Sequence, residues 1–398
     1  MAGVYVHVPF CRQACHYCDF HFSTSVKRVD DMVQSIIHEA NLRIEKQPAW
    51  SNQPFKTLYL GGGTPSLLSP KAIHHLISGV SGQLGIDLHL LEEVTLEANP
   101  EDLTPERLEA WSSAGVTRLS VGVQSFDDDT LAWMNRAHSG KEAQQGVLRA
   151  FNHGFSRLSL DLIYGAKTGR EWSQDLDIAL NLPINHLSAY ALTIEPKTVF
   201  GNLKSRGRFS EVSESRVIQE YQLLCDRLNE QGWEHYETSN WAKKIVGSSG
   251  TNRAVHNSSY WSGLAYMGLG PGAHGFLDGS RYANLSNNPA YIESILMGEL
   301  PELMDQLSSR DRYNEAIMTG LRTAAGISPL ELSEHTGMTP ERLEPVLWKR
   351  ALDKGWLIPA EEGRYRIPES SWIMGDHLAS SFFWVDAPLS PDPTRQPK

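Results

Sequence analysis

The sequence predicts an α/β fold whose core is a partial barrel of six β-α units. Short apolar runs alternate with longer segments of helical spacing over residues 1–205, which indicates a parallel sheet covered by helices. Glycines and polar residues suited to ligand binding follow the apolar runs, as expected where barrel strands end at one shared rim. After residue 205 this alternation stops, so smaller elements follow the barrel.

Each barrel element is predicted from its own local pattern. Strands are predicted at residues 4–8, 57–60, 93–96, 118–123, 158–163 and 186–192. Helices are predicted at residues 30–45, from 69, from 104, at 141–151 and at 171–180. Ser69-Pro70 and Thr104-Pro105 are predicted helix starts, because proline is favoured in the first turn of a helix.

The second half of the chain predicts two further modules and a tail. A helix at 212–231 precedes a stretch rich in Trp, Tyr, Asn and Gly, and helices at 310–322, 330–335 and 343–354 precede two short strands. We therefore predict a partial barrel on residues 1–205, an α+β extension at 206–305, and a winged-helix-like module at 306–386. The flexible tail at 387–398 is predicted from its content of Pro, Ser and Asp.

Composition excludes several classes of function. The net charge of −11 disfavours nucleic-acid binding, and residues 328–367 of the winged-helix-like module hold six basic and seven acidic side chains. No apolar run reaches the ~20 residues of a transmembrane helix and no signal peptide is visible, although a peripheral membrane contact stays open. Four cysteines, three of them clustered, indicate a reducing compartment, so we expect a cytoplasmic protein.

The cysteine cluster predicts a metal centre. Cys11, Cys15 and Cys18 have Cys-x3-Cys-x2-Cys spacing, so one loop could supply three thiolates to a [4Fe-4S] cluster. Three ligands leave one iron for an outside chelate, such as the amino and carboxylate groups of a methionine moiety. The alternative is a four-coordinate zinc site. Its fourth ligand would be His7, His16 or His21.

The residues around the cysteines resemble a known family. The segment reads Tyr5-x-His7-x-Pro9-Phe10-Cys11-x3-Cys15-x-Tyr17-Cys18-Asp19-Phe20. It resembles radical SAM proteins of the oxygen-independent coproporphyrinogen III oxidase group, and within that group the HemW-type heme chaperones, over nearly the whole chain. The resemblance implies a radical SAM barrel, a [4Fe-4S] cluster on the three cysteines, and S-adenosylmethionine (SAM) on the fourth iron.

The resemblance also implies cofactor contacts along the barrel rim. A glycine-rich strand end would bind the ammonium of the methionine moiety, and Arg136 would meet its carboxylate. The expected contacts are Tyr5, Tyr17, Gly62, Gly63, Thr64, Glu97, Gln124, Arg136, Asp161 and Ala191. One loop departs from the family pattern, since Ala-Lys-Thr-Gly-Arg stands at 166–170 in place of Leu-Pro-Gly-Gln-Thr.

A second motif implies heme. His256-Asn257-Ser258-Ser259-Tyr260-Trp261 matches the His-Asn-x-x-Tyr-Trp motif of HemW-type proteins. Imidazole is a good axial ligand for heme iron, and Tyr260 and Trp261 offer flat faces to a macrocycle. The alternative is a histidine packed in an aromatic cluster. His274, after a glycine-rich turn, is a second candidate ligand.

Two functions follow from this resemblance. The first is a heme chaperone that binds a cluster, SAM and heme and transfers heme to an acceptor protein; the second is a coproporphyrinogen III oxidase-like enzyme. The heme motif favours the carrier, as does Phe20 where the oxidases have a further cysteine. So does the position of the cluster motif, since the oxidases carry about fifty residues before it by the same resemblance. We predict no catalytic residue, and expect a flavodoxin or ferredoxin as a candidate electron donor.

Overall fold

The computed structural model describes residues 1–245 and 250–385, so the predicted tail at 387–398 lies outside the described residues. The chain divides into two compact units, the first at residues 1–305 and the second from residue 306. No helix within the described ranges combines the length and apolar character that crossing a membrane requires.

Six parallel strands form the centre of the first unit. They are β1 (Ala2–Val8), β2 (Phe55–Gly62), β3 (Glu93–Ala98), β4 (Arg118–Gln124), β5 (Arg157–Tyr164) and β6 (His186–Ala191). Each pairs in parallel with the next, for example Tyr5 with Tyr59 and Leu160 with Leu187. All six predicted strands are present, with ends that differ by up to two residues.

The extension continues the same sheet on both sides. Its strands are β7 (Trp233–Glu237), β8 (Asn240–Lys243), β9 (Ala265–Leu269), β10 (His274–Leu277), β11 (Ser280–Asn284) and β12 (Glu302–Gln306). The strand order among the described residues is β12-β11-β10-β9-β1-β2-β3-β4-β5-β6-β8-β7. The sheet does not close on itself, so the predicted α/β fold with a partial barrel is confirmed. β9 joins β1 in parallel, so the strand that precedes the cysteines lies inside the sheet.

Helices cover the sheet of the first unit. They are α1 (Val29–Lys46), α2 (Pro70–Leu84), α3 (Pro105–Ser113), α4 (Asp128–Trp133), α5 (Gly140–His153), α6 (Trp172–Asn181), α7 (Val199–Ser205), α8 (Glu214–Glu230), α9 (Val255–Trp261) and α10 (Asn288–Leu296). α2 and α3 begin at Pro70 and Pro105, as predicted, and the hydroxyls of Ser69 and Thr104 cap them. Strand residues such as Val4, Leu60 and Leu119 are at most 1% exposed and form the core with these helices.

The second unit contains the remaining elements. Its helices are α11 (Ser309–Leu321), α12 (Pro329–Thr336), α13 (Pro340–Leu343), α14 (Pro345–Asp353) and α15 (Gly375–Ser381). Strands β13 (Ile358–Pro359) and β14 (Tyr365–Arg366) pair in an antiparallel hairpin after α14. Helices followed by a short hairpin agree with the predicted winged-helix-like module. The predicted helix at 343–354 is shorter, because it begins only at Pro345, after the non-helical Glu344.

Candidate functional site

A cavity of about 420 Å³ lies where the six parallel strands end. Each of the six strands contributes to its walls, either through residues near its end or through the loop that follows it. The predicted residues that line it are Cys11, Cys15, Tyr17, Cys18, Gly62, Gly63, Thr64, Glu97, Gln124, Arg136, Asp161 and Ala191. The structure therefore brings together twelve of the predicted site residues. It places Tyr5, His256, Tyr260, Trp261 and His274 outside this lining.

The three cysteines lie together on the loop after β1. All are half-buried free thiols at the cavity wall. Burial raises the pKa of Cys18 to about 11, and burial also raises the pKa of Cys11. The charge of Cys15 raises the pKa of both thiols further, because it disfavours a second negative charge nearby. A bound cation removes this penalty, because metal ligands are thiolates, so the donor set fits an iron–sulfur cluster.

The histidines of the zinc alternative are engaged elsewhere. His7 Nε2 lies 2.8 Å from the carbonyl oxygen of His21, and His16 Nδ1 lies 2.8 Å from that of Trp133. His21 Nε2 lies 2.7 Å from the Asn288 side-chain oxygen. Each imidazole thus has one ring nitrogen bonded to another protein group, and among the described residues none of the three histidines belongs to a group of close metal-ligating atoms.

The end of α4 holds the cysteine loop in place. Asn135 has φ 58°, in the left-handed region, and its amide donates to the Ala14 carbonyl at 2.7 Å. In return, the Gln13 side chain donates to the Asn135 carbonyl at 2.7 Å. The His16 N–H donates to the Met134 carbonyl at 3.1 Å. We call this set of contacts the loop clamp; it was not predicted from the sequence.

The glycine-rich end of β2 runs close to the cysteine loop. Gly62 has φ 107°, and a Cβ there would lie 2.5 Å from the His7 ring, so only glycine fits. A Cβ on Gly63 would lie 2.7 Å from the Phe10 carbonyl. The Thr64 hydroxyl contacts the Cys11 sulfur at 3.5 Å. This strand end therefore lies next to the cysteines with its backbone accessible at the cavity wall.

Arg136 has a donor available for a ligand. Its Nη2 donates to the Gly122 carbonyl at 2.6 Å and to Asn99 Oδ1 at 2.7 Å, and its Nη1 contacts the Cys15 sulfur at 3.3 Å. Its Nε is buried and has no hydrogen-bond partner among the residues that the structure describes. A buried unpaired donor is costly, so this atom points to an acceptor supplied by a ligand, such as a carboxylate.

Two carboxylates face the cavity from neighbouring strands. Burial raises the pKa of Glu97 to about 7, although the Tyr59 hydroxyl donates to it at 2.7 Å and the Gly62 N–H at 3.1 Å. Burial also raises the pKa of Asp161, which accepts from the Ser120 hydroxyl at 3.2 Å. Neither has an ion-pair partner within 4.0 Å among the described residues, so both suit a ligand that carries a cation or hydroxyl donors.

The remaining rim residues are fixed by local backbone features. Gln124 has φ 68° at a register shift between β4 and β5, which turns its side chain to the cavity. Tyr17 packs against Met134 and Ile163 beside the cysteines. Tyr5 lies deeper, where its hydroxyl and His7 Nδ1 are 3.1 Å apart. Tyr5 therefore supports the wall and does not form it.

The atypical loop at 166–170 is held by a buried ion pair. Arg170 pairs with Asp175 and donates to the Ile163 carbonyl at 2.5 Å. Asp175 also accepts from the Ser125 hydroxyl at 2.9 Å and from the Phe126 N–H at 2.6 Å. The departure from the family pattern thus fixes the backbone directly after Gln124.

The heme motif lies within the barrel. His256 is 1% exposed; its Nδ1 is 2.7 Å from Thr57 Oγ1 and its Nε2 is 2.7 Å from the Tyr260 hydroxyl. Burial lowers the pKa of His256 to about 4. In this arrangement neither ring nitrogen is free to ligate iron, which corresponds to the alternative of a packed histidine. Trp261 is half-buried and His274 is exposed at the start of β10.

Comparison with known proteins gives one consistent set of relatives. The Radical SAM superfamily profile matches residues 5–173. The chain is 33% identical to the heme chaperone HemW of Bacillus subtilis (strain 168) over 387 residues, 96% of this chain and 99% of that protein. It is 32% identical to the heme chaperone HemW of Escherichia coli (strain K12) over 363 residues, 89% of this chain and 91% of that protein.

A solved structure agrees at the level of the fold. Coproporphyrinogen III oxidase (HemN) from Escherichia coli superimposes with a TM-score of 0.79 and 17% sequence identity. The match covers 96% of this chain and 90% of that chain. At this identity the likeness concerns the fold alone.

Proposed function

Because the chain belongs to the radical SAM superfamily and, within it, to the family of the heme chaperone HemW, we propose that it is a heme chaperone. It binds a [4Fe-4S] cluster, SAM and heme, and it transfers heme to an acceptor protein. The observation that carries the cofactor part is the cavity where Cys11, Cys15, Cys18 and the unpaired Arg136 Nε lie together. The heme part rests on the relatives, which are heme chaperones by name.

The cluster would be held by the three cysteines on the loop after β1. When bound, the cluster and SAM supply one-electron reductive cleavage of the sulfonium. The chain's own residues bind and orient these groups: the loop clamp fixes the cysteines, and the backbone at Gly62 and Gly63 leaves room beside them. A flavodoxin or ferredoxin is the class of electron donor that this chemistry needs.

SAM would lie across the rim of the cavity. The Arg136 Nε would take its carboxylate, and Glu97 with the β2 strand end would take its ammonium. Asp161, Gln124 and the backbone near Ala191 would contact the adenosyl part. Because burial raises the pKa of Glu97 to about 7, we expect this carboxylate to bind a cation more strongly as the pH rises through that value.

Heme would bind at an exposed imidazole. Of the two predicted ligands, His274 is exposed, whereas both ring nitrogens of His256 are engaged. We therefore assign axial ligation to His274, and leave contact between the macrocycle and Tyr260 or Trp261 as a prediction. Replacement of His274 with alanine should abolish the ligand-field features of bound heme, whereas the same change at His256 should mainly lower stability. The opposite result would return the ligand role to His256.

The test of the carrier role is anaerobic reconstitution followed by heme addition. We expect a bound Soret band and transfer of that heme to an apo-protein. The second candidate function, which the sequence resemblance leaves open, is oxidation of coproporphyrinogen III. Supplying SAM, a reductant and coproporphyrinogen III should yield no protoporphyrinogen; clear turnover would refute the chaperone proposal.

The setting of this function is also a proposal. We propose that the protein works in the cytoplasm on a heme-accepting protein, without nucleic acid. In this view residues 1–205 carry the cofactors, residues 206–305 complete the sheet, and the module from 306 contributes contacts to a partner.

A further inference from the structure

The short helix α9, which carries the heme motif, is anchored inside the partial barrel. The N–H groups of Val255 and His256 donate to the buried Glu93 carboxylate at 3.0 and 3.2 Å. The His256 ring contacts Thr57 and stacks on Tyr59, with 5.0 Å between ring centroids. These bonds come from β2 and β3, so α9 is attached to the inward face of the sheet.

The position of α9 relative to the cavity follows from β2. Thr57 and Tyr59 are two residues apart on β2 and therefore point to the same face of the sheet. His256 contacts both side chains, whereas the cavity lining begins at Tyr59 and continues to Gly62. α9 thus lies directly below the cavity, on the side of the strand starts.

One residue of α9 reaches the cavity itself. Asn257 lines it, together with Tyr59, Glu97, Ser120, Asp161 and Ser188. Its side chain is half-buried and makes no hydrogen bond to another residue within the described ranges. A carboxamide has two donors and an acceptor, so Asn257 presents unused polar groups to whatever occupies the inner half of the cavity.

We propose that α9 is the floor of the cavity and that Asn257 is a binding residue for SAM, with its carboxamide on the adenosyl group. This inference rests on the proposed function. The inner half of the cavity carries two carboxylates and several hydroxyls, which favour a cation with hydroxyl and amine groups. They oppose the propionates of heme, because like charges repel at short range. The two residues of the motif then have different roles, since His256 positions the helix and Asn257 contacts the ligand.

The test replaces Asn257 in the full-length, cluster-loaded protein. Asn257→Ala should weaken SAM binding about tenfold, the loss expected for a side-chain hydrogen bond of about 1.4 kcal/mol, while the Soret titration with heme and the iron content stay unchanged. Asn257→Asp keeps the shape, so it serves if the alanine variant is unstable; it loses both donors and should also change SAM affinity. Ser262→Ala, at the exposed end of the same helix, is the matched control and should leave SAM affinity unchanged.

The outcomes separate the two proposals. If the parent protein binds SAM and both Asn257 variants bind it equally well, this inference is overturned while the proposed function stands. Loss of heme binding with unchanged SAM affinity would also overturn it, since the motif would then serve heme. If the parent protein binds no SAM, the proposed function itself fails.

Discussion

Asn135 provides the most direct test of how the loop that carries the three cysteines is stabilised. Its amide donates to Ala14, between two of the cysteines, and its backbone is left-handed with φ 58°. Asn135→Ala removes the hydrogen bond and places a less suitable residue in that backbone region, whereas Asn135→Gly removes the hydrogen bond alone. The two variants therefore separate the side-chain contact from the backbone conformation.

The expected magnitudes follow from these two contributions. A lost hydrogen bond costs about 1 kcal/mol, and an alanine in the left-handed region costs about 1 kcal/mol more. Local opening of the loop should then become roughly thirtyfold more frequent in Asn135→Ala and about fivefold more frequent in Asn135→Gly. Thr64 and Arg136 contact the cysteine sulfurs in both variants, so the cluster should still assemble.

The assay measures how fast an iron chelator removes the cluster under anaerobic conditions. The visible absorbance of the cluster reports its loss. We expect the alanine variant to lose its cluster fastest, the glycine variant at an intermediate rate and the parent protein slowest. Asn181→Ala is a matched control, because that amide also donates to a carbonyl at 2.8 Å but is exposed at the end of α6, away from the cysteines. Loss at the parent rate in both Asn135 variants, or equal rates for alanine and glycine, would refute the reasoning.

Three further predictions concern the cofactor ligands and the buried charges. Cys15→Ser should abolish stable cluster assembly, because two thiolates cannot hold the cubane; full iron and sulfide content in the variant would contradict the assignment. The raised pKa of Glu97, about 7, means that folding favours its protonated form, so stability is lost as pH rises through 7. In urea titrations of cluster-free protein, the Glu97→Gln variant should therefore have a higher free energy of unfolding than the parent at pH 8, but not at pH 4. Equal free energies of unfolding at pH 8 would disprove this prediction. Arg170→Ala should lower that free energy by about 3 kcal/mol because Asp175 is left buried and unpaired, whereas Arg28→Ala, which breaks an exposed pair, should cost less than about 1 kcal/mol.

The sequence identified the rim because local patterns carry that information. Glycine, carboxylate and amide residues stand at or near the ends of successive parallel strands, and such strand ends meet at one edge of the sheet. The structure places all four of these residues at the cavity: Gly62, Glu97, Gln124 and Asp161. The family resemblance found from the cysteine motif is confirmed by the relatives.

Contacts between distant segments could not be predicted in this way. The loop clamp joins residues 121 positions apart and depends on the left-handed backbone of Asn135. The side chain of His256 meets Thr57, 199 positions earlier, and nothing local distinguishes such a packed imidazole from a ligand. The Arg170–Asp175 pair joins the atypical loop to α6, and in the sequence only the departure of that loop from the family pattern was visible. The sequence signal for the loop clamp is an asparagine before an arginine, and it is weak, because asparagine tolerates a positive φ but does not require one.

The parallel pairing of β9 with β1 determines how the chain can be divided. A fragment that ends at residue 205 would keep every cysteine and rim residue, yet it would lose β9 on one side and β8 on the other. Its two outermost strands, β1 and β6, would then expose unpaired backbone groups that readily join another chain. Such a fragment is expected to aggregate although all of its predicted cofactor ligands are present, so the solubility of the barrel depends on strands that carry none of the three cysteines.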